Sequence, residues 1–205
     1  MTDEGLNGLD IHLLNERAQP LRAQLELVCL RDGSVKVASA SREVELAPHS
    51  AQRLSAAACL GQFFDFTHAY RFGPRAHDVT IATLRDQTSG QVVAEAFHLP
   101  ERRVSERHDL GLTVTAERNG DGWQLVIEAK RFVRFVHIVD THYRAARDWF
   151  HLPPNRPCVV PLIPLTPQER FVAHASNAVF KADATYAAPA GEVRAVNAIS
   201  AIFYG

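Results

Sequence analysis

A first candidate for catalytic chemistry is Glu16, which follows Asn15 at the end of an apolar run. A glutamate can act as general acid or base, but retaining glycoside hydrolysis needs a second carboxyl group about 5–5.5 Å away and a raised pKa in one of the pair. Glu16 lies in a polar stretch four residues before Pro20, where a solvated carboxylate stays ionised. The sequence therefore predicts a turn residue here, and no catalytic residue in the chain.

A second group is "HIVDTH", in which His137, Asp140 and His142 are of the types that bind a metal ion. Zinc needs three or four converging ligands. On a strand, Asp140 and His142 share one face and His137 points to the other, so the three converge only if the chain turns. We expect polar residues at a strand end, no metal site and no cofactor, since glycine-rich phosphate motifs are also absent from the sequence.

A third group is aromatic and comprises Tyr143, Trp149 and Phe150. The flat apolar face of an aromatic ring suits the apolar face of a pyranose, so these three residues are the candidate carbohydrate contacts. Aromatic residues just before the last strands of a sandwich are more often part of its core or of an interface. The loop "RFGPR", Arg71 to Arg75, with His68 and Tyr70, is predicted as a surface loop, with an interdomain contact as the alternative.

The charge balance limits the partners of the chain. Its formal net charge is -1 and its pI is about 6.8, so we expect no nucleic-acid partner. The acidic start "MTDEGLNGLD" has no apolar core of a signal peptide. No window reaches the roughly 18 apolar residues of a membrane span. The chain is expected to be soluble, without a membrane partner, and its sequence does not indicate a compartment.

The three cysteines, Cys29, Cys59 and Cys158, are an odd number without a close pair. This spacing argues against a disulfide framework and against a CxxC metal or redox site. Cys29 falls on the apolar side of an alternating run, which predicts a buried, inert thiol.

Apolar and polar residues alternate along "LRAQLELVCL", which predicts a strand with one buried face. The inward residues are Leu21, Ala23, Leu25, Leu27 and Cys29. "RDGS", Arg31 to Ser34, then places Asp-Gly at the centre of a predicted hairpin turn. "DVTIATLRDQTSGQVVAEAFHLP" predicts a second hairpin, with strands near 79–84 and 91–99 and a turn ending at Gly90. The segment Ser50 to Gly61 fits either a short helix or a strand.

The alternation restarts after a charged stretch, Glu101 to Asp109, which is predicted as a linker. "RNGDG", Arg118 to Gly122, is a hairpin signal between two alternating strands. Their inward residues are Leu110, Leu112, Val114 and Ala116, and then Trp123, Leu125, Ile127 and Ala129. "FVRFVHIV" lacks clean alternation, which indicates a strand covered on both faces or bent by a bulge. "CVVPLIPL" and "EVRAVNAISAIFYG" are the last apolar runs.

Short strands, hairpin turns and the absence of a long period-3.6 segment predict an all-β chain of sandwiches. A (β/α)8 barrel typically needs roughly 250 residues and a helix after every strand, whereas here strand follows strand. The linker divides the chain into two predicted domains, residues 8–100 and 106–205.

Several segments resemble the β-sandwiches that follow the catalytic barrel in glycoside hydrolase family 2, in its β-mannosidase branch. "DIHLLNERAQPLRAQLELVCLRDGSV" is similar to the start of the first such sandwich, and "VELAPHSAQRL" to an extended stretch within it. "GLTVTAERNGDGWQLVIEAKRFVRFVHIV" resembles the last sandwich. In "RDWFHLPPNRPCVVPLIP", Asp148 and Phe150 fit an Asp-Asn-Tyr-Phe run, Trp149 takes its aromatic slot, and Pro154-Asn155 replaces a Pro-Gly pair. The resemblance covers roughly residues 9 to 165.

The resemblance implies two immunoglobulin-like β-sandwich domains in tandem, the carboxyl-terminal accessory region of a β-mannosidase-like enzyme. In that family both catalytic glutamates lie on the barrel, so the chain alone is expected to be an inactive fragment of a glycoside hydrolase. Its expected partner is the catalytic barrel of the parent enzyme. The two alternatives are a carbohydrate-binding β-sandwich module, whose partner is carbohydrate, and a free-standing immunoglobulin-like interaction protein.

Overall fold

The computed structural model describes residues 1–101, 103–104, 106–165 and 187–205. The chain forms two compact units, Met1–Arg103 and Val104–Gly205. Strands account for 53% of the described residues and helices for 4%, and the described strands form four antiparallel sheets, two in each unit. The prediction of an all-β chain with β-sandwich domains in tandem is therefore confirmed. Among the described residues, no helix is long and apolar enough to cross a membrane.

The first unit is built from two sheets, and its elements follow one another in a simple order. They are β1 (Thr2–Asp3), a 3-10 turn (Gly5–Asn7), β2 (Leu9–Asn15), β3 (Leu21–Arg31), β4 (Val35–Leu46), β5 (Ser50–Ser55), α1 (Ala56–Leu60), β6 (Val79–Asp86) and β7 (Val92–His98). One sheet has the strand order β1-β2-β5 and the other β4-β3-β6-β7.

The alternation of β3 produces the core of the first unit as the sequence predicted. All five inward residues named above are buried, and they pack with Leu9, Ile11 and Leu13 of β2 from the other sheet. The hairpin from β3 to β4 turns at Asp32 and Gly33, whose φ angles are 52° and 68°. Positive φ at both central positions is the reason for Asp-Gly at this turn.

The ambiguous segment Ser50 to Gly61 contains both a strand and a helix. β5 ends at Ser55, whose Oγ accepts a hydrogen bond from the Ala58 N–H at 3.4 Å and caps α1. Gly61 ends the helix in the left-handed region with φ 72°, and its N–H donates to the Ala57 carbonyl. A polar N-cap and a glycine after the last turn are the ordinary signals for such a short helix.

The second unit is also built from two sheets. Its strands are β8 (Thr113–Asn119), β9 (Gly122–Glu128), β10 (Val133–Asp140), β11 (Tyr143–Ala145), β12 (Phe150–Leu152), β13 (Cys158–Pro164), β14 (Gly191–Arg194) and β15 (Ile202–Tyr204). The sheet orders are β11-β13-β9-β8 and β12-β10-β14-β15. The last apolar run of the sequence thus forms two short strands that pair with each other.

The segment "FVRFVHIV" forms β10, and a β-bulge bends it. Its register against β12 shifts between Val133 and Val136, and Phe135 between them has φ 53°. The sequence left open whether this strand is covered on both faces or bent by a bulge, and the register shift corresponds to the bulge.

Candidate functional site

The Asn15-Glu16 pair lies where β2 ends, and its two side chains have opposite environments. Asn15 is buried, and its Nδ2 donates to the carbonyls of Gln19, Leu46 and Ala47 at 2.9, 3.2 and 3.0 Å. Its Oδ1 accepts from the Arg17 N–H at 3.2 Å. Glu16 is exposed in the turn that leads to β3. Asn15 therefore fastens this turn to the end of β4.

A compact group of polar and aromatic side chains lies where β10 faces β12. Asp148 Oδ2 is 2.8 Å from His137 Nδ1, and Asp148 Oδ1 accepts from the N–H groups of Ile138 and Trp149, both at 3.0 Å. The rings of His137 and Trp149 stack with 4.3 Å between centroids and 15° between planes. Trp149 is nevertheless 58% exposed. The Asp148 carboxylate thus binds the His137 imidazole and the backbone N–H of Trp149, and the exposed indole stacks on that imidazole.

A second ring pair, Phe135 and His151, lies beside the first. Their centroids are 4.5 Å apart, and the Phe135 N–H donates to His151 Nδ1 at 3.3 Å. Burial, followed by the charge of Arg134, lowers the pKa of His151 to about 4, although a hydrogen bond to the Val133 backbone acts in the opposite direction. The neutral imidazole is therefore the form that accepts the Phe135 N–H.

The three aromatic residues predicted to contact carbohydrate do not form a common platform. Tyr143 and Phe150 are only 3% and 6% exposed and belong to the core of the second unit. Tyr143 donates its hydroxyl to the Ala187 carbonyl at 2.7 Å, and the Arg147 guanidinium covers the Phe150 ring at 4.5 Å. Trp149 precedes β12 and its side chain is exposed, whereas the Phe150 side chain is buried, so the two rings do not share a surface. Trp149 is the candidate that remains accessible.

The side chains of His137, Asp140 and His142 do not converge on a common point. His137 turns to Asp148, while Asp140 Oδ1 accepts the N–H groups of His142 and Tyr143 at 2.7 and 3.0 Å. In the ranges given above, no three His, Cys, Asp or Glu side chains are placed to hold a metal ion.

The "RFGPR" loop is exposed over most of its length. Phe72 is 88% exposed, and its ring stacks with that of Tyr70 at 6.3 Å. Arg75 forms an ion pair with Glu101 at 2.5 Å. These features are those of a surface loop.

Two further titratable groups are buried in the first unit. Cys29 is 1% exposed, as predicted for a buried thiol, and burial raises the pKa of this thiol to about 11. His77 is equally buried beside Phe64 and Phe66, 3.0 Å from Thr80 Oγ1. Burial lowers the pKa of His77 to about 4, with the charge of His98 as the next cause.

We expect the first unit to lose stability in acid through His77. Its folded pKa of about 4 lies below the unfolded value of 6.5. Both states are neutral at higher pH, and only the unfolded state takes up the proton between these values. The free energy of unfolding should therefore fall from pH 6.5 to pH 4, by about 2 kcal/mol at pH 5. Urea unfolding followed by NMR signals of the first unit measures this loss.

His77→Phe should flatten that pH dependence, because the buried ring then has no proton to bind. His12, exposed on β2 of the same unit, gives the matched control His12→Gln, which should keep the slope. An equal slope in His77→Phe and wild type would show that another group is responsible.

No family model matches the sequence, and no curated protein matches it either. Among solved structures, the chain is similar to the β-D-mannosidase from Dictyoglomus thermophilum, with a TM-score of 0.55 and 10% sequence identity. The match covers 94% of this chain and 21% of that one, so this chain spans about a fifth of the length of that protein. At this identity the similarity shows a shared fold: the two sandwich units match a small portion of a β-mannosidase chain.

Proposed function

We propose that this chain is a non-catalytic accessory region of a β-mannosidase-like glycoside hydrolase, at the carboxyl-terminal side of its catalytic barrel. The observation that carries the proposal is the match of 94% of this chain to only 21% of a β-mannosidase chain. Because the two β-sandwich units correspond to only about a fifth of that enzyme, the match supports an accessory role next to a separate catalytic domain. The resemblance of its strands and turns to the post-barrel sandwiches of that branch is an independent argument for the same role.

The environments of the carboxylates support a non-catalytic role. Glu16 is exposed in the turn that follows β2. Asp10 is the one Asp or Glu that is buried within the described ranges, and its Oδ2 is held by Arg53 at 2.9 Å. A general acid must instead be open to the leaving group of a substrate. The rigid, hydrogen-bonded sandwiches suit a scaffold that packs against a barrel.

The purified 205-residue chain, incubated with an aryl β-mannoside, should release the aryl group no faster than buffer does. Hydrolysis clearly above buffer would contradict the proposal, and Glu16→Gln would then show whether this carboxylate is responsible. The reading frame upstream of the chain provides the second test. A (β/α)8 barrel encoded there supports the accessory role, whereas an unrelated neighbour would favour the free-standing interaction protein.

A further inference from the structure

Four rings share the outward side of β10 and the segment that leads into β12, and we call them the ring face: Phe135, His137, Trp149 and His151. Val136 pairs with Phe150 in the register of the two strands, and both side chains are buried. The residues on either side of this pair are exposed or partly exposed. His137 stacks on Trp149 and Phe135 contacts His151, so two ring pairs lie side by side along the strands.

The two most exposed rings of this face are held on unusual backbone. Phe135 and Trp149 have φ angles of 53° and 54°. Bulky residues rarely adopt positive φ, and such strain concentrates at sites where a side chain must be aimed for function. Trp149 is 58% exposed and Phe135 38%. Packing in the core does not explain a strained backbone that exposes an aromatic ring to solvent, which points to a function of these two exposed rings.

Hydrogen bonds fix this arrangement before any ligand arrives. Asp148 accepts from the backbone N–H of Trp149 through Oδ1 and holds the His137 ring through Oδ2. The backbone N–H of Phe135 donates to the His151 ring, and the Trp149 ring stacks on the ordered His137. Because these contacts order the rings in advance, less entropy is lost when a ligand lies on them. With Nδ1 directed at Asp148, Nε2 is the His137 atom that can exchange hydrogen bonds with a hydroxyl group.

We propose that the ring face is a carbohydrate-binding surface that takes a β-linked glycan chain, with Trp149 stacking on the apolar face of a sugar ring and His137 hydrogen-bonding its hydroxyls. Flat rings interleaved with hydrogen-bonding imidazoles match a ligand that has apolar faces and a polar rim. The choice of a glycan rests on the proposed function, because an accessory region of a glycoside hydrolase works next to that polymer.

Isothermal titration calorimetry of the full chain with β-1,4-linked mannotetraose and cellotetraose tests the proposal. Wild type should bind at least one of them saturably, and Trp149→Gly should bind at least about tenfold more weakly. Glycine adopts φ 54° without strain, so this variant removes the ring without harming the fold. Trp149→Phe should retain binding. Phe72→Ala, which removes an exposed ring in the first unit, is the matched control and should bind like wild type.

Absence of saturable binding to both sugars up to millimolar concentration would overturn the proposal, and so would equal binding by wild type and Trp149→Gly. Self-association of wild type in sedimentation, lost in Trp149→Gly and without sugar binding, would assign the ring face to a protein contact and also overturn it. Binding is measured without any barrel. It therefore succeeds or fails separately from the accessory role, which the hydrolysis assay and the upstream reading frame decide.

Discussion

Replacing Gly191 by alanine should unfold the second unit at a much lower denaturant concentration. A Cβ at this position would lie 2.1 Å from the Val139 carbonyl oxygen, 2.9 Å from the Asp140 Cα and 3.0 Å from the Tyr204 hydroxyl. Two of these atoms belong to the backbone of the paired strand β10, which cannot move away alone. We expect a loss of about 3 kcal/mol or more in the free energy of unfolding.

The missing side chain of Gly191 leaves room for a partly buried hydrogen bond between Tyr204 and Asp140. Gly191 pairs with Asp140 on one side and with Tyr204 on the other, and the Tyr204 hydroxyl reaches across to Asp140 Oδ2 at 3.1 Å. Burial and the neighbouring Asp140 carboxylate raise the pKa of Tyr204, so its hydroxyl stays protonated and donates. Asp140 Oδ1 meanwhile holds the turn into β11. A methyl group at position 191 disrupts all these contacts together.

Tryptophan fluorescence measures this effect selectively, because both tryptophans, Trp123 and Trp149, lie in the second unit. Gly122→Ala is the matched control: Gly122 also begins a strand of this unit, but its added Cβ would meet only the Asn119 carbonyl oxygen at 3.6 Å. That variant should stay within about 0.5 kcal/mol of wild type. Equal urea midpoints for Gly191→Ala and Gly122→Ala would contradict the prediction, because they would show that β10 shifts to accommodate the added methyl group without loss of stability.

Local patterns were sufficient to predict the long strands and their turns. Strict alternation identified the buried face of β3, since a strand with one solvated side repeats every two residues. Asp32-Gly33 marked its hairpin because few residues tolerate positive φ. By contrast, β11 and β12 have three residues each, too few to show a period. Residues 166–186 of the predicted second domain lie outside the described residues.

The ring face could be predicted only in part. The sequence named Tyr143, Trp149 and Phe150 as candidate contacts, and of these only Trp149 is exposed, because the other two belong to the core. The partners of Trp149 were not predictable in this way. His137 reaches it only because β10 pairs with β12 after the bulge at Phe135. Register between strands depends on the whole core and on irregularities of this kind, so the sequence did not single out Phe135 or His151.

Replacing Asn15 by aspartate should strongly destabilise the first unit, although the two side chains have nearly the same shape. The substitution exchanges the Nδ2 donor for an acceptor that faces the carbonyls of Gln19, Leu46 and Ala47. A carboxylate oxygen at position 15 would then face these carbonyl oxygens at a buried position and repel them. The hydrogen bonds that join the turn after β2 to the end of β4 would be lost. We expect the free energy of unfolding to fall by about 3 kcal/mol.

The adjacent Glu16 provides the control for this prediction. Its side chain is exposed, so Glu16→Gln should change the stability by no more than about 0.5 kcal/mol. Hydrogen exchange of the β3 amides, measured by mass spectrometry, reports on the first unit, which contains no tryptophan. Faster exchange in Asn15→Asp but not in Glu16→Gln would show that the buried amide, and not the neighbouring carboxylate, is the residue on which this turn depends. Unchanged exchange in Asn15→Asp would mean that water or a shift of the turn satisfies the three carbonyls.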